Sequence, residues 1–129
     1  MLITSIPQYI QGLTNAKVDL TNTNDTVLYT APSDSDFNAS VVSSLLVSND
    51  SGSADTITVT LISGSDTFSV YKLEEVGALS TKELLSKELI MQSGEVLKVQ
   101  AATGARLHVI ASIQELTKTR ITTSALASI

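Results

Sequence analysis

The stretch "LVSNDSGSADTITVTL", Leu46 to Leu61, holds two runs of alternating apolar and polar residues joined by a short polar loop. In the second run, Ile57, Val59 and Leu61 alternate with threonines. Successive side chains of an extended strand point to opposite faces, so this run predicts a half-buried β-strand. Its β-branched residues favour the same conformation. The stretch therefore predicts two strands that feed one core and a loop that connects them.

Alternation of the same kind continues on both sides of this stretch. Before it, the run Val41 to Asn49 predicts a strand, and after it the "SGSD" segment predicts a hairpin loop with Gly64 at positive φ. Seven to nine short strands with turn signals between them are typical of an all-β, antiparallel β-sandwich of jelly-roll type. The side chains that we expect to point inward are Val41, Leu45, Val47, Leu97, Val99, Ala101, Leu107, Val109, Ala111 and Ile113, and we expect Phe68 and Val70 to share one face of their strand.

The segment Ser80–Met91, "STKELLSKELIM", allows two interpretations. Ser80 and Glu83 form a capping-box pattern followed by good helix formers, which favours a helical turn. The apolar positions, however, repeat at intervals of five residues, which a helix would spread over a wide arc. Two short strands that turn at Ser86 and Lys87 would bring those positions together, and we favour that interpretation.

Composition excludes several classes of function. The chain of 129 residues suits one domain, and with no cysteine it has no disulfide and no thiol nucleophile. A net charge of −5, with the eight cations scattered, argues against nucleic-acid binding. The N-terminal run lacks a basic region and is interrupted by Pro7, so we expect neither a signal peptide nor a membrane span, and synthesis in the cytoplasm. No cofactor is indicated.

The chain divides by composition into three parts: an N-terminal arm or edge strand over residues 1–25, a β-sandwich over 26–116 and a C-terminal arm over 117–129. Both ends carry apolar residues that would be a liability if they stayed exposed. We therefore expect them to contact neighbouring subunits, although a disordered end is an equal alternative for the C-terminal part. The expected contact residues are Leu2, Ile3, Ile6, Tyr9, Ile10, Ile121, Leu126 and Ile129.

Only two places resemble a chemical site. Asp50 and Asp55 in the opening loop are weak candidates for a hard cation, since carboxylates suit such ions, but they do not fit the EF-hand spacing. Turn chemistry, with Asn49 and Asp50 bonding the backbone, is the stronger interpretation. His108, the only histidine, falls on the outer face of its predicted strand with no orienting partner supplied by spacing. The pattern does not predict an enzyme.

Four segments of the chain carry a family resemblance in their order: "LYTAP" (Leu28–Pro32), "LLVSNDSGSADTITVTL" (Leu45–Leu61), "KELIMQSGEVLKVQAA" (Lys87–Ala102) and "HVIASIQEL" (His108–Leu116). Together they resemble a loose family of small β-sandwich virion proteins of tailed bacteriophages, including phages of marine bacteria and cyanobacteria. The resemblance covers residues 26–116, and the sequence departs from it at Leu73–Ser86, which is charged here.

The resemblance implies a structural protein of the virion, made in the cytoplasm of a bacterial host. A capsid decoration, or cement, protein is the first expectation, with a neck, head–tail connector or tail component as the alternative. The implied partners are other virion proteins, such as the major capsid protein or neck and tail proteins, and copies of the same chain, with a trimer as the first guess. A receptor- or carbohydrate-binding module ranks lower because tryptophan is absent, leaving Phe37 and Tyr71 as ring platforms.

Overall fold

The computed structural model of the protein describes residues 9–118, the first three of them by their backbone alone. Within that range there are nine strands and no helix that has the length and apolar character needed to cross a membrane. The strands are β1 (Tyr9–Leu20), β2 (Thr26–Thr30), β3 (Phe37–Asn49), β4 (Asp55–Ser63), β5 (Asp66–Val76), β6 (Ser80–Glu83), β7 (Leu89–Met91), β8 (Val96–Ala101) and β9 (Leu107–Thr117).

The strands form two antiparallel sheets that pack face to face, which confirms the predicted β-sandwich. The five-stranded sheet has the order β1-β9-β3, and both β6 and β7 pair with the outer side of β3. The four-stranded sheet has the order β2-β8-β4-β5. β1 and β9 thus lie side by side although most of the chain separates them, so the two ends of the described chain meet in one sheet.

The core consists of aliphatic side chains from the inner faces of both sheets, because alternation buries every second residue. The predicted inward positions of β8 and β9 are all buried, as are Ile57 and Val59 of β4. Phe68 of β5 is more than half exposed. One expectation is wrong. Val42 takes the inward place predicted for Val41, because Ser43 forms a bulge in β3 and reverses the alternation there.

The segment Ser80–Met91 forms two strands rather than a helix, but they do not pair with each other. β6 pairs with Leu46–Asn49 and β7 with Ser40–Val42, so both extend along the same edge of β3. The Glu83 carboxylate lies at the gap between them and accepts hydrogen bonds from the amide of Leu45 (2.7 Å) and the hydroxyl of Ser44. It replaces the strand partner that β3 lacks at this point.

The ionisation of Glu83 follows from these contacts. Partial burial acts to raise the pKa of the carboxyl, but the hydrogen bonds from the Ser44 hydroxyl and from backbone amides outweigh it. The pKa therefore lies below its ordinary value of 4.5. At neutral pH Glu83 is therefore charged, and its carboxylate accepts the hydrogen bond from the Leu45 amide.

Polar contacts tie the two sheets together at both margins of the core. The Tyr29 hydroxyl of β2 donates to the Glu115 carboxylate of β9 (2.5 Å) and lies 2.7 Å from the hydroxyl of Ser40. Burial raises the pKa of Tyr29 well above its ordinary value, and the hydrogen bond to Glu115 acts in the same direction. At the opposite margin the Tyr71 hydroxyl donates to the carbonyl of Leu84.

Two glycines fix connections between strands. Gly64 has φ +63° in a two-residue hairpin loop between β4 and β5, as predicted. Gly104 belongs to the loop between β8 and β9, where an added Cβ would lie 2.7 Å from the carbonyl oxygen of Thr21. That close approach lets the amide of Ala105 donate to the carbonyl of Leu20 (2.9 Å).

Candidate functional site

The acidic loop between β3 and β4 is organised by the buried side chain of Asn49. Its Oδ1 accepts hydrogen bonds from the amide (3.0 Å) and the hydroxyl (2.9 Å) of Ser51, which is the Asx-turn geometry that the sequence predicts. Its Nδ2 donates to the carbonyls of Ser53 (2.8 Å) and Val76 (3.2 Å). Every polar atom of this amide is therefore used to hold the loop closed.

The two candidate aspartates of this loop have separate partners. The buried carboxylate of Asp55 accepts from the amide of Thr56 (2.8 Å) and from the amide of Thr103 (3.1 Å), and so joins the β3–β4 loop to the β8–β9 loop. Asp50 is exposed, and its Oδ2 lies 3.2 Å from Nε2 of His108. Backbone amides thus engage Asp55, whereas Asp50 faces a strand side chain, so the two carboxylates have different partners.

His108 lies between two carboxylates on the outer face of the five-stranded sheet. Its Nδ1 is 3.3 Å from Asp19 of β1, and its Nε2 faces Asp50 at the end of β3. Ser48 is its cross-strand neighbour in β3, but both ring nitrogens are directed at carboxylates and neither at that hydroxyl. An acyl-transfer triad needs the base bonded to its nucleophile, so this arrangement has the residue types of a triad without its geometry.

Among the residues that the structure describes, no group of three or more His, Asp or Glu side chains is placed to hold a metal ion. The ring platforms expected for a sugar-binding surface also lack free faces. Phe37 is 4% exposed and belongs to the core, and Tyr71 is partly buried with its hydroxyl bonded. The platform expectation is therefore wrong for Phe37.

The clearest candidate surface is apolar and lies on the outer face of the five-stranded sheet. Leu46 of β3 is directly opposite Ile110 of β9, and these side chains are 37% and 43% exposed. Leu13 of β1 and Ile90 of β7 flank them and are 75% and 51% exposed. We call these four residues the apolar face. Sequence alternation already placed Leu46 and Ile110 opposite the inward sets, but the register that brings them together was not readable.

Short side chains create a depression within the apolar face. Ser112 of β9 and Asn15 of β1 are cross-strand neighbours, and Ser43 at the β3 bulge lies beside them. Together with Leu13 and Gln114 they line a shallow hollow of about 320 Å³. The outer face therefore carries exposed aliphatic side chains and, beside Leu13, a mostly polar hollow, a form suited to receiving another chain.

Most of the expected contact residues lie outside the described part of the chain. Tyr9 and Ile10 open β1, where their backbones pair with Thr117 and Leu116 of β9. Tyr9 and Thr117 consequently lie side by side at one end of the five-stranded sheet. The remaining expected contacts fall outside residues 9–118, namely Leu2, Ile3, Ile6, Ile121, Leu126 and Ile129.

No protein-family model and no curated protein matches the chain. Solved structures do resemble it. A chain from the acid-stable capsid structure of Helicobacter pylori bacteriophage KHP30 is 15% identical with a TM-score of 0.54, over 84% of this chain and 91% of that chain. This similarity shows that the two chains share a fold over nearly their whole length.

Two weaker similarities concern other viral proteins. A pentameric capsid protein isolated from metagenomic phage sequences is 17% identical with a TM-score of 0.45, over 81% of this chain and 61% of that chain. A chain from the structure of infectious bursal disease virus, strain Gx, is 9% identical with a TM-score of 0.47, over 84% of this chain and 32% of that chain. The β-sandwich described above is thus a fold that also occurs in a phage capsid.

Proposed function

We propose that the protein is a structural component of a bacteriophage virion, working as a capsid decoration, or cement, protein. Its partners would then be the major capsid protein and other copies of this chain, with a trimer as the first arrangement to test. The observation that carries the proposal is the shared fold with a chain of the KHP30 capsid structure over almost the full length of both chains.

The surface chemistry of the described residues supports a role in assembly. The apolar face exposes large aliphatic side chains that an isolated protein would keep out of water. Histidine and the loop aspartates are engaged in contacts within the fold. The function supported best is therefore one carried by contacts between subunits.

The arrangement of the chain ends supports terminal arms as contact elements. Residues 1–8 precede Tyr9 in the chain and residues 119–129 follow Lys118. Because Tyr9 pairs with Thr117 at one end of the sheet, one neighbouring subunit could receive both chain ends. Arms that add strands or extended segments to a neighbour are a common way to join virion-like subunits into symmetric assemblies.

Sedimentation and electron microscopy of the recombinant chain test this proposal. We expect a closed oligomer of small size, and we expect deletion of residues 1–8 or 119–129 to reduce assembly while the β-sheet circular dichroism and the melting temperature stay close to those of the full chain. These deletions stop short of Tyr9 and Thr117, which belong to paired strands. Normal assembly of both truncated chains would contradict the role of the arms.

The same images separate decoration from the neck alternative. A decoration protein should yield small oligomers that bind a preformed shell, whereas a ring with an open channel would favour the neck or connector. Shell-sized particles formed by this chain alone would contradict the cement role. A major capsid gene beside the gene for this chain would support decoration, and tail-tube or connector genes would support the alternative.

A further inference from the structure

The apolar face lacks a cover among the described residues, and its composition points to one occupant. Leu13 lines the hollow together with Ser43 and Ser112, and the hollow is large enough for an aliphatic side chain. Leu46, Ile110 and Ile90 are exposed on the same face. Glu83 lies beside Leu46, Asp19 and Asp50 flank His108 at the far end, and the exposed Lys17 lies directly opposite Ile110. The face therefore suits a segment with small and aliphatic side chains.

The C-terminal segment of the chain has this composition. Residues 119–129, "TRITTSALASI", contain Ile121, Leu126 and Ile129 among alanines and hydroxyl residues, and no acid. Up to residue 117 the chain has thirteen acids and six cations, a net charge of −7, whereas Lys118 and Arg120 are the only charged residues after it. The segment therefore adds no like charge to the carboxylates at the margins of the face.

The segment is better placed to reach a neighbour than its own sheet. In the sequence it follows Lys118, just after the end of β9. To cover the apolar face of its own sheet, the chain would have to reverse the direction of β9 at once. Residues 118–129 contain no glycine, proline, asparagine or aspartate, the residues that most favour such a reversal. If extended, the eleven residues of this segment span about 36–40 Å. Four neighbouring strands of a sheet are together about 15 Å wide, so the segment is longer than this width.

We propose that residues 119–129 of one copy dock on the apolar face of a neighbouring copy, with an aliphatic side chain in the hollow between β1, β9 and β3. This inference rests on the proposed function and adds the receiving surface to it. In an extended segment Ile121, Ala125 and Ile129 share one side, so they would face the sheet.

Disulfide trapping tests the contact directly, because the natural chain has no cysteine. One preparation carries Ile110→Cys and a second carries Ala125→Cys, and the two are mixed under mild oxidation. We expect the mixed disulfide to form at least tenfold faster than with the control Thr58→Cys, which lies on the outer face of the four-stranded sheet. A chain carrying both cysteines that cross-links within itself at high dilution, while the mixture does not react, would overturn the proposal.

Sedimentation of variants tests how much this contact contributes to self-association. The variant with both Leu46→Asp and Ile110→Asp, and the chain without residues 119–129, should each weaken self-association at least tenfold, and the combination should add little, since both changes remove one contact. Val27→Asp, an exposed position of β2 in the other sheet, should have no effect. Melting temperatures establish that each variant is folded.

The outcomes separate this inference from the proposed function. Normal assembly of all variants would overturn the inference alone, because assembly itself would persist. Weakening by the face variants but not by the truncation would mean that two faces pack together, which also overturns it. A wild-type chain that stays monomeric and yields no mixed disulfide would overturn both proposals.

Discussion

Gly104 is a residue whose role depends on a single missing atom. Because a Cβ would lie 2.7 Å from the Thr21 carbonyl oxygen, Gly104→Ala must push two backbone segments apart. We expect it to lower the free energy of unfolding by about 1–3 kcal/mol. Urea denaturation measures this change.

The matched control is Gly52→Ala in the β3–β4 loop. No atom of the described residues lies within 4 Å of a Cβ built there, and φ is not positive. We expect the free energy of unfolding to rise by about 0.4–1 kcal/mol, because alanine restricts the unfolded chain. Equal losses in the two variants would show that the close approach to Thr21 is unimportant.

At the same scale, the sequence predicted which way a side chain points better than what it contacts. The inward positions of β8 and β9 follow from alternation alone, and so does the outer position of His108. Its partners Asp19 and Asp50 lie 89 and 58 positions away in the chain. Only the register between β1, β9 and β3 brings them together, and a single sequence does not contain that register.

Among the elements, β3 depends on Glu83 where its outer edge has no strand. Glu83→Gln keeps the shape but removes the charge that strengthens the hydrogen bonds from Ser44 and Leu45. Since the pKa of Glu83 is lowered by folding, its contribution is present above about pH 4.5 and is lost as the pH falls through the lower folded-state value. The variant should therefore be less stable than wild type at pH 7, and the difference should shrink as the pH falls below 4.5.

Melting temperatures from pH 7 to pH 3 measure this convergence. Glu88→Gln is the control, because Glu88 is exposed in the neighbouring connection and the substitution makes the same change in net charge. The melting temperature of Glu88→Gln should differ from that of wild type by the same amount at every pH. A constant gap between Glu83→Gln and wild type across the whole pH range would rule out the ionised carboxylate as the cause.

The same element marks the limit of prediction from sequence. Apolar spacing favoured two strands over a helix in Ser80–Met91, and the structure has two strands. The expectation that they would come together was wrong, because β3 is long enough to pair with both in succession. The bulge at Ser43, which places Val42 instead of Val41 on the inner face, could not be predicted either. No signal in the composition marks an extra residue in a strand.

For the whole molecule, the union of the two sheets depends partly on the Tyr29 hydroxyl. Tyr29→Phe leaves the Glu115 carboxylate without this donor and the buried Ser40 hydroxyl without its acceptor, and we expect the free energy of unfolding to fall by about 1–2 kcal/mol at pH 7. Folding raises the pKa of Tyr29, so its contribution is present below pH 10 and is lost as the pH rises towards the folded-state value. The gap to wild type should therefore narrow above pH 10.

Chemical denaturation at pH 7 and at pH values above 10 checks this. Tyr71→Phe, measured at pH 7, is the comparison at the other margin of the core. Its hydroxyl bonds a neutral carbonyl, so the loss should be smaller, about 0.5–1 kcal/mol. A Tyr29→Phe deficit that stays the same at high pH would contradict the account.

The pairing of β1 with β9 sets the order of events during synthesis. On the ribosome, β1 emerges first and must wait for almost the entire chain before its partner appears, and β3 waits for the same strand. Because β9 supplies the middle of the five-stranded sheet, the apolar face exists only after translation has nearly ended. A nascent chain therefore offers its neighbours no assembled contact surface, but its unpaired strands and uncovered core residues stay exposed until β9 emerges, which is the stage most prone to aggregation.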